Sequence, residues 1–346
     1  MVLIQSLVLT GLLLWAGHGF LRRHAVLCYV IACLLSLGTI ALVWSGSVPD
    51  TRWIVPMFTQ GGLAGGLFIA VMFAGAVPSH SRFYRLVIPI RGELSILASI
   101  LTLGHNIAFG KTYFLRLFSG AAMAWNLMAA AVCSLLMIAI MLPLFITSFR
   151  RVRRRMKGRS WKRLQRLAYG FYGLMYVHVL LLNFPAARLS AAAKLNIVLY
   201  SIVFLTYACM RTRKAVSRIS HHAAAKLPLL FGLVFAALCL AIWLPQPAPE
   251  PAGTTGYADG TYTGTGMGFN GSITVSVTIE GGRMTDIRVL SAADDDEFFL
   301  TAESAIIPAA LEAQSAEVDA ASGATYSSAG LKAAISNALK AAQGEA

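Results

Sequence analysis

Asp319-Ala320-Ala321-Ser322-Gly323-Ala324-Thr325-Tyr326-Ser327-Ser328 gathers small residues around one hydroxyl, Thr325, and places an aspartate six positions before it. Gly323 permits a backbone turn that other residues adopt only at a cost, and Ala324 leaves space above it. By composition alone the stretch reads as a turn leading to a helix over Ala329–Ala341, capped by Ser327 or Ser328. A second pair of chemically capable residues, His105 and His178, lies inside apolar runs. Ionisable groups are costly in a bilayer and generally face a cavity or a cofactor. Two imidazoles at one depth on different helices can ligate an iron porphyrin between them. Bonded to neighbouring backbone or water, they would be structural instead. His18, His24, His80, His221 and His222 fall near the ends of apolar runs and read as interfacial, with His18 the one able to approach a quinone or an inner cofactor. The cysteines (Cys28, Cys33, Cys133, Cys209, Cys239) all sit in apolar runs without metal-ligand spacing, which argues for buried small hydrophobes and against iron–sulfur or disulfide frameworks.

The elements that must hold these residues are set by hydropathy. Of 346 residues 57% are hydrophobic and 13% charged, with mean hydropathy +0.67, the profile of a polytopic membrane protein. Residues 1–249 hold 25 Lys and Arg against two acids, whereas residues 250–346 hold four against 13, so the two parts occupy different surroundings. The net charge of +14 resides in short loops between apolar runs, which points to the positive-inside rule rather than to nucleic acid. Spans are expected over Met1–Gly19, Ala25–Trp44, Ile54–Val77, Leu86–Phe109, Ala121–Ile146, Leu167–Phe184, Leu195–Met210 and Leu227–Leu244, with a turn at Pro49–Trp53. Arg22-Arg23 follow the first apolar run rather than precede it, the order of a retained helix and not of a secretory signal. Gly61-Gly62 and Gly65-Gly66 suit close helix packing; no Lys follows them to suggest a phosphate loop. The run Arg150–Arg166, with ten basic residues and no acid, and the run Arg211–Lys226 fall on one side, the cytoplasmic one. His105 and His178 then lie about 8–9 Å below the outer surface at 1.5 Å per residue. Pro-rich 245–256 is a semi-rigid linker. Alternation over Ser272–Ile279, a Gly281-Gly282 turn, a second strand Met284–Leu290 and helices over Glu297–Gln314 and Leu331–Ala341 describe a small α+β domain. The fold class expected is a polytopic α-helical membrane bundle of about eight transmembrane helices with a small C-terminal α+β extracytoplasmic domain.

The motif at Asp319–Thr325 resembles the flavinylation site of the FMN-binding domain found in the flavin-carrying subunits of the sodium-translocating NADH:quinone reductase and of the Rnf complex. In that family Asp, two variable residues, Ser or Thr, Gly, Ala and Thr precede FMN attachment, and a flavin transferase joins FMN from FAD to the last threonine as a phosphoester. The resemblance implies covalent FMN at Thr325, with Ser322, Gly323 and Ala324 around it and Asp319 read by the transferase. Asp259-Gly260-Thr261-Tyr262-Thr263-Gly264-Thr265-Gly266 and Gly271-Ser272-Ile273-Thr274-Val275 look like the family's opening strands, so the likeness covers roughly 257–342. The following helix N-terminus could hold the phosphate, and Tyr262 and Tyr326 are candidate neighbours of the ring, though they also suit the core.

Arg91-Gly92-Glu93-Leu94 through His105, and Trp161-Lys162-Arg163-Leu164-Gln165-Arg166-Leu167 through His178, look like the ferric-reductase-like transmembrane domain over roughly 54–210. That resemblance implies a b-type haem held by His105 and His178 as iron ligands near the outer face. Where the family often has a second pair of histidines this chain has Arg91 and Gln165, neither an ordinary iron ligand, so one haem is expected. The domain plan is 1–53 (two helices), 54–210 (haem domain), 211–244 (basic loop and last helix), 245–256 (linker) and 257–346 (FMN-binding domain). Together the resemblances imply an oxidoreductase of flavocytochrome type in a bacterial inner membrane, passing electrons through haem to FMN and on to an extracytoplasmic acceptor. Its donor is expected to be a membrane quinol or another redox protein, since the chain carries no dinucleotide-binding motif. Its partners are the lipid bilayer and the flavin transferase, with no nucleic acid. The alternatives are a flavin-carrying redox sensor, or an anchored flavin carrier without haem.

Overall fold

The computed structural model describes residues 2–45, 54–120, 125–184, 187, 191–243, 257–294, 296–321 and 324–344, without the side chains of Thr112, Ala192, Asp296, Glu297 and Thr325. The expected turn at Pro49–Trp53, the linker 245–256, and Ser322 and Gly323 of the motif lie outside the described residues. The chain divides into two compact units, 1–119 with 127–182 and 195–239, and 120–126 with 183–194 and 240–346.

The first unit is helical: α1 (Val2–Arg23), α2 (Ala25–Trp44), α3 (Val55–Thr59), α4 (Gly62–Ala76), α5 (Arg82–Val87), α6 (Arg91–Ser119), α7 (Trp125–Ser148), α8 (Arg150–Arg155), α9 (Gly158–Gln165), α10 (Leu167–Asn183), α11 (Ala191–Val216) and α12 (His221–Trp243). Among the described residues six helical stretches are long and apolar enough to cross a membrane: Val2–Arg23, Ala25–Trp44, Arg82–Lys111, Trp125–Ser148, Ala193–Val216 and His221–Trp243. Helices α4 and α10, at 15 and 17 residues, are shorter. The single span expected over Ile54–Val77 is two helices, because Gly61 adopts φ 69°, a left-handed conformation suited to glycine, and breaks α3 from α4. Helix α6 runs ten residues beyond the expected end at Phe109; its first charge past His105, Lys111, lies 4.6 Å from the centre of the Trp44 ring.

Two glycines of α4 do what their spacing suggested. A Cβ on Gly62 would stand 2.5 Å from Ser6 Oγ, and one on Gly66 2.5 Å from Thr10 Oγ1 and 3.0 Å from Ser6 O, so α1 and α4 cross almost backbone to backbone. Gly104 meets Ser36 of α2 as closely, at 2.6 Å. Hydroxyls inside the helices, among them Thr39, Ser99, Thr102 and Ser201, donate to the carbonyl four residues back, which keeps them bonded where no water reaches. Leu229, Leu230, Leu233 and Leu240 of α12 are exposed, an apolar surface of the kind that suits a bilayer.

The second unit carries an antiparallel sheet in the order β1 (Gly260–Met267), β2 (Ser272–Glu280), β3 (Arg283–Ala292), covered by α13 (Asp296–Ala313) and α14 (Thr325–Ala342). Gly281 and Gly282, at φ 60° and 73°, form the two-residue turn with both central residues left-handed that a right-twisted hairpin prefers. Its amides donate to the Asp259 carboxylate, chiefly that of Gly282, and hold this carboxyl below its ordinary range. The alternation over β2 is borne out: Ile273, Val275, Val277 and Ile279 are buried against Ile306 of α13 and Leu331, Ile335 and Leu339 of α14. The glycines of β1 lie under α14. A Cβ on Gly264 would stand 2.1 Å from Ala334 O, and one on Gly266 2.0 Å from Gly330 O, so the helix backbone rests directly on the strand. Gly266→Ala is therefore expected to lift α14 and destabilise the unit by about 1–3 kcal/mol. Limited proteolysis of the full chain checks it, and a C-terminal unit as protease-resistant as the parent's would show that the helix does not sit there.

Candidate functional site

Helix α14 begins at Thr325, four residues before the start expected from sequence, and this corrects the capping assignment. Ala324 is the N-cap, and its carbonyl accepts from the Ser328 amide at 2.8 Å. Ser327 and Ser328 lie in the first turn, where the Ser328 hydroxyl reaches back to accept from the Ala321 amide at 3.0 Å. The first turn thus has no capping side chain; a serine inside it ties down the incoming segment instead. The small residues before Thr325 have a packing reason, since Ala321 and Ala324 are buried against Ala302 of α13. Lys332, itself 9% exposed, donates to Val318 O at 2.6 Å and pins the strand of chain that leads into the motif. Asp319 stays exposed.

Three segments meet beside the start of α14. The Phe269 ring lies 5.8 Å from that of Tyr326 and 6.2 Å from that of Phe298. The Asn270 amide donates to Asp294 Oδ1 at 2.6 Å, and a Cβ on Gly268 would stand 2.3 Å from Asp294 Oδ2. Three buried side-chain oxygens, Asp294 Oδ2, Tyr326 OH and Ser327 Oγ, have no hydrogen-bond partner among the described residues. Buried polar atoms are normally paired, so orphaned oxygens on Asp294 and on the two residues that follow Thr325 suit a polar ligand such as FMN. Sequence reasoning missed Asp294 and Phe269; no spacing ties either to Thr325. Tyr262 packs with the core near the opposite end of β1. Burial pushes the Tyr326 phenol up to about 12 from an ordinary 10.0. The stability held by its neutral form is thus fully present below pH 10 and lost as pH rises through about 12. Tyr326→Phe is expected to flatten that alkaline decline in unfolding curves; an unchanged slope would leave the phenol uninvolved.

In the first unit α6 presents His105 and α10 presents His178, close enough for the two imidazoles to interact electrostatically. His105 Nδ1 lies 2.7 Å from Thr59 O, and His178 Nδ1 lies 3.2 Å from both Ala130 O and Ser134 Oγ. A carbonyl oxygen only accepts, so in each ring Nδ1 carries the proton and Nε2 keeps its lone pair. Neither Nε2 has a hydrogen-bond partner among the described residues. A backbone carbonyl on one nitrogen and a free lone pair on the other is how proteins prepare an imidazole to bind a metal. Gly61 supports His105 from below; a Cβ there would stand 3.3 Å from the ring. A cleft bordered by Ser36, Thr39, Met57 and Leu101 also reaches His105. Among the described residues no group of three or more His, Cys, Asp or Glu could hold a metal ion, whereas axial ligation of a haem needs only two. The residues present fit that group. Gln165 is engaged elsewhere, its Nε2 donating to Thr147 Oγ1 at 3.2 Å.

An uncharacterised protein of Treponema pallidum (strain Nichols) is 33% identical to this chain over 353 residues, spanning 97% of this chain and 98% of that protein. The chain belongs to the family of that protein. Within it, residues 268–340 match the family model of the FMN-binding domain. The matched range takes in Phe269, Asn270, Asp294, the whole Asp319–Thr325 motif and most of α14. This chain thus places several apolar helices ahead of a C-terminal FMN-binding domain.

Proposed function

We propose that this protein is a membrane electron-transfer protein in which His105 and His178 hold one b-type haem near the outer face and Thr325 carries FMN as a phosphoester on an extracytoplasmic domain. The observation that carries the reading is the FMN-binding match over a complete Asp319–Thr325 motif, on a chain whose apolar helices juxtapose two metal-ready imidazoles. Bound there, haem and flavin would supply one-electron chemistry at the membrane surface and exchange with an external acceptor. The protein's part is positioning. Thr59 and Ala130 fix the imidazole tautomers through their carbonyls, and Gly61 fixes one ring's height. The Thr325 hydroxyl displaces AMP from FAD when the flavin transferase acts, and thereafter serves as anchor, so flavin is not lost where free flavin is scarce. Asp319, Ser322, Gly323 and Ala324 form the sequence that enzyme reads. The segment 245–256 would tether the flavin near the membrane at high effective concentration. A membrane quinol or another redox protein is the donor, on the cytoplasmic or membrane side.

The visible spectrum of the purified full-length protein tests this directly. A b-type haem spectrum together with gel-stable flavin fluorescence is expected. Flavin without haem would reduce the protein to an anchored flavin carrier, and neither chromophore would end the proposal.

A further inference from the structure

Among the described residues one carboxylate has a buried oxygen without a hydrogen-bond partner: Asp294, through Oδ2. Its other oxygen is spent, since Oδ1 accepts from the Asn270 amide at 2.6 Å. The short turn between β1 and β2 holds this carboxylate in place. The Gly268 amide donates to Gly271 O at 2.8 Å and the Ala293 amide to Ser272 O at 2.9 Å, which closes the turn and lays it on the end of β3. Both ends of the turn require glycine. A Cβ on Gly271 would stand 2.2 Å from Ala293 O, and one on Gly268 2.3 Å from Asp294 Oδ2. The free oxygen therefore lies directly over the Gly268 backbone. The same glycine touches α14, because a Cβ on Gly330 would stand 2.6 Å from Gly268 Cα. Gly330 is five residues past Thr325, about 7.5 Å along the helix axis. Phe269, next in the turn, has its ring centre 5.8 Å from that of Tyr326. Backbone and ring contacts thus tie Asp294 to the part of α14 that begins at Thr325.

We propose that Asp294 positions the flavin, its Oδ2 accepting a hydrogen bond from FMN, and that its charge lowers the flavin's reduction potential. This rests on the reading that Thr325 carries FMN. Chemistry selects the part of the flavin that is recognised. A carboxylate accepts and does not donate, so it suits neither the phosphate ester nor the ring carbonyls. It suits the donors of FMN, the ring imide N–H and the ribityl hydroxyls. Phe298, 6.2 Å from Phe269 between ring centres, extends an aromatic surface beside the turn that suits the flavin ring. A hydrogen bond to a charged acceptor is the stronger kind. Reduction adds negative charge to the flavin ring, and a carboxylate beside it opposes that charge. A buried water on Oδ2 is the competing occupant.

The test is a redox titration of the full-length protein followed by flavin fluorescence, with the anisotropy of that fluorescence as a second readout. Asp294→Asn keeps an oxygen for the Asn270 amide while removing the charge and replacing Oδ2 by an N–H donor. It should favour the reduced flavin at least about ten-fold, a rise of about 30 mV for a two-electron couple, and lower the anisotropy as the ring loosens. The flavin's N3–H bending band in the Raman spectrum moves in this variant if the imide is the donor and stays if a ribityl hydroxyl is. Glu280→Gln, the same loss of charge at the exposed far end of β2, should change neither potential nor anisotropy. Asp294→Ser, neutral and still able to accept from Asn270, should shift both in the same direction and serves should Asp294→Asn not be recovered folded. A parent protein without gel-stable flavin would overturn the attachment at Thr325 and this proposal with it. Gel-stable flavin whose potential or anisotropy is the same in Asp294→Asn as in the parent would overturn the Asp294 contact alone.

Discussion

Thr325→Ala is expected to abolish flavin fluorescence that survives denaturing gel electrophoresis. The effect should be complete rather than partial, because a phosphoester needs the hydroxyl oxygen and no noncovalent contact outlasts denaturant. Folding should be spared. Thr325 is the first residue of α14, where alanine is at least as good a helix former, and the packing there comes from Ala321, Ala324 and Ala302. The unfolding free energy should shift by less than about 1 kcal/mol. Thr325→Ala thus separates attachment from stability. Gel-stable flavin persisting in that variant would remove Thr325 from the role.

The second large effect lies in the helical unit. His105→Ala and His178→Ala should each eliminate the b-type haem spectrum while the gel-stable flavin signal remains. A haem held by these two imidazoles would lose one of its iron ligands in either variant. His105→Ala also leaves the Thr59 carbonyl without its donor, worth about 1–3 kcal/mol of local stability. The flavin on the gel controls for this, since only a chain that has been inserted and processed carries it. Haem retained in both variants would require ligands other than these two.

Much of this was visible in the chain as written. Eight apolar runs, the basic loops between them and the acidic C-terminal segment follow from hydropathy and charge, which are sums over neighbours and survive without three-dimensional information. The strand alternation in Ser272–Ile279 and the Gly281-Gly282 turn follow the same way, from period and from the special backbone of glycine. So does the Asp319–Thr325 motif, whose meaning lies in contiguous residue types. What hydropathy could not deliver were the breaks and ends: the left-handed Gly61 that divides one expected span, the ten further residues of α6, and the early start of α14 at Thr325.

Residue types and their order determined several long apolar helices followed by an FMN-binding α+β unit, because burial preference and local backbone geometry are carried by each residue and its immediate neighbours. Only the tertiary structure decided that Thr59 and Ala130 set the proton on His105 and His178, that the Phe269 ring lies against Tyr326, and that the Asn270 amide bonds Asp294. Each of those pairings spans dozens of residues, and hydrogen bonds and ring contacts at that separation exist only once helices and strands have packed.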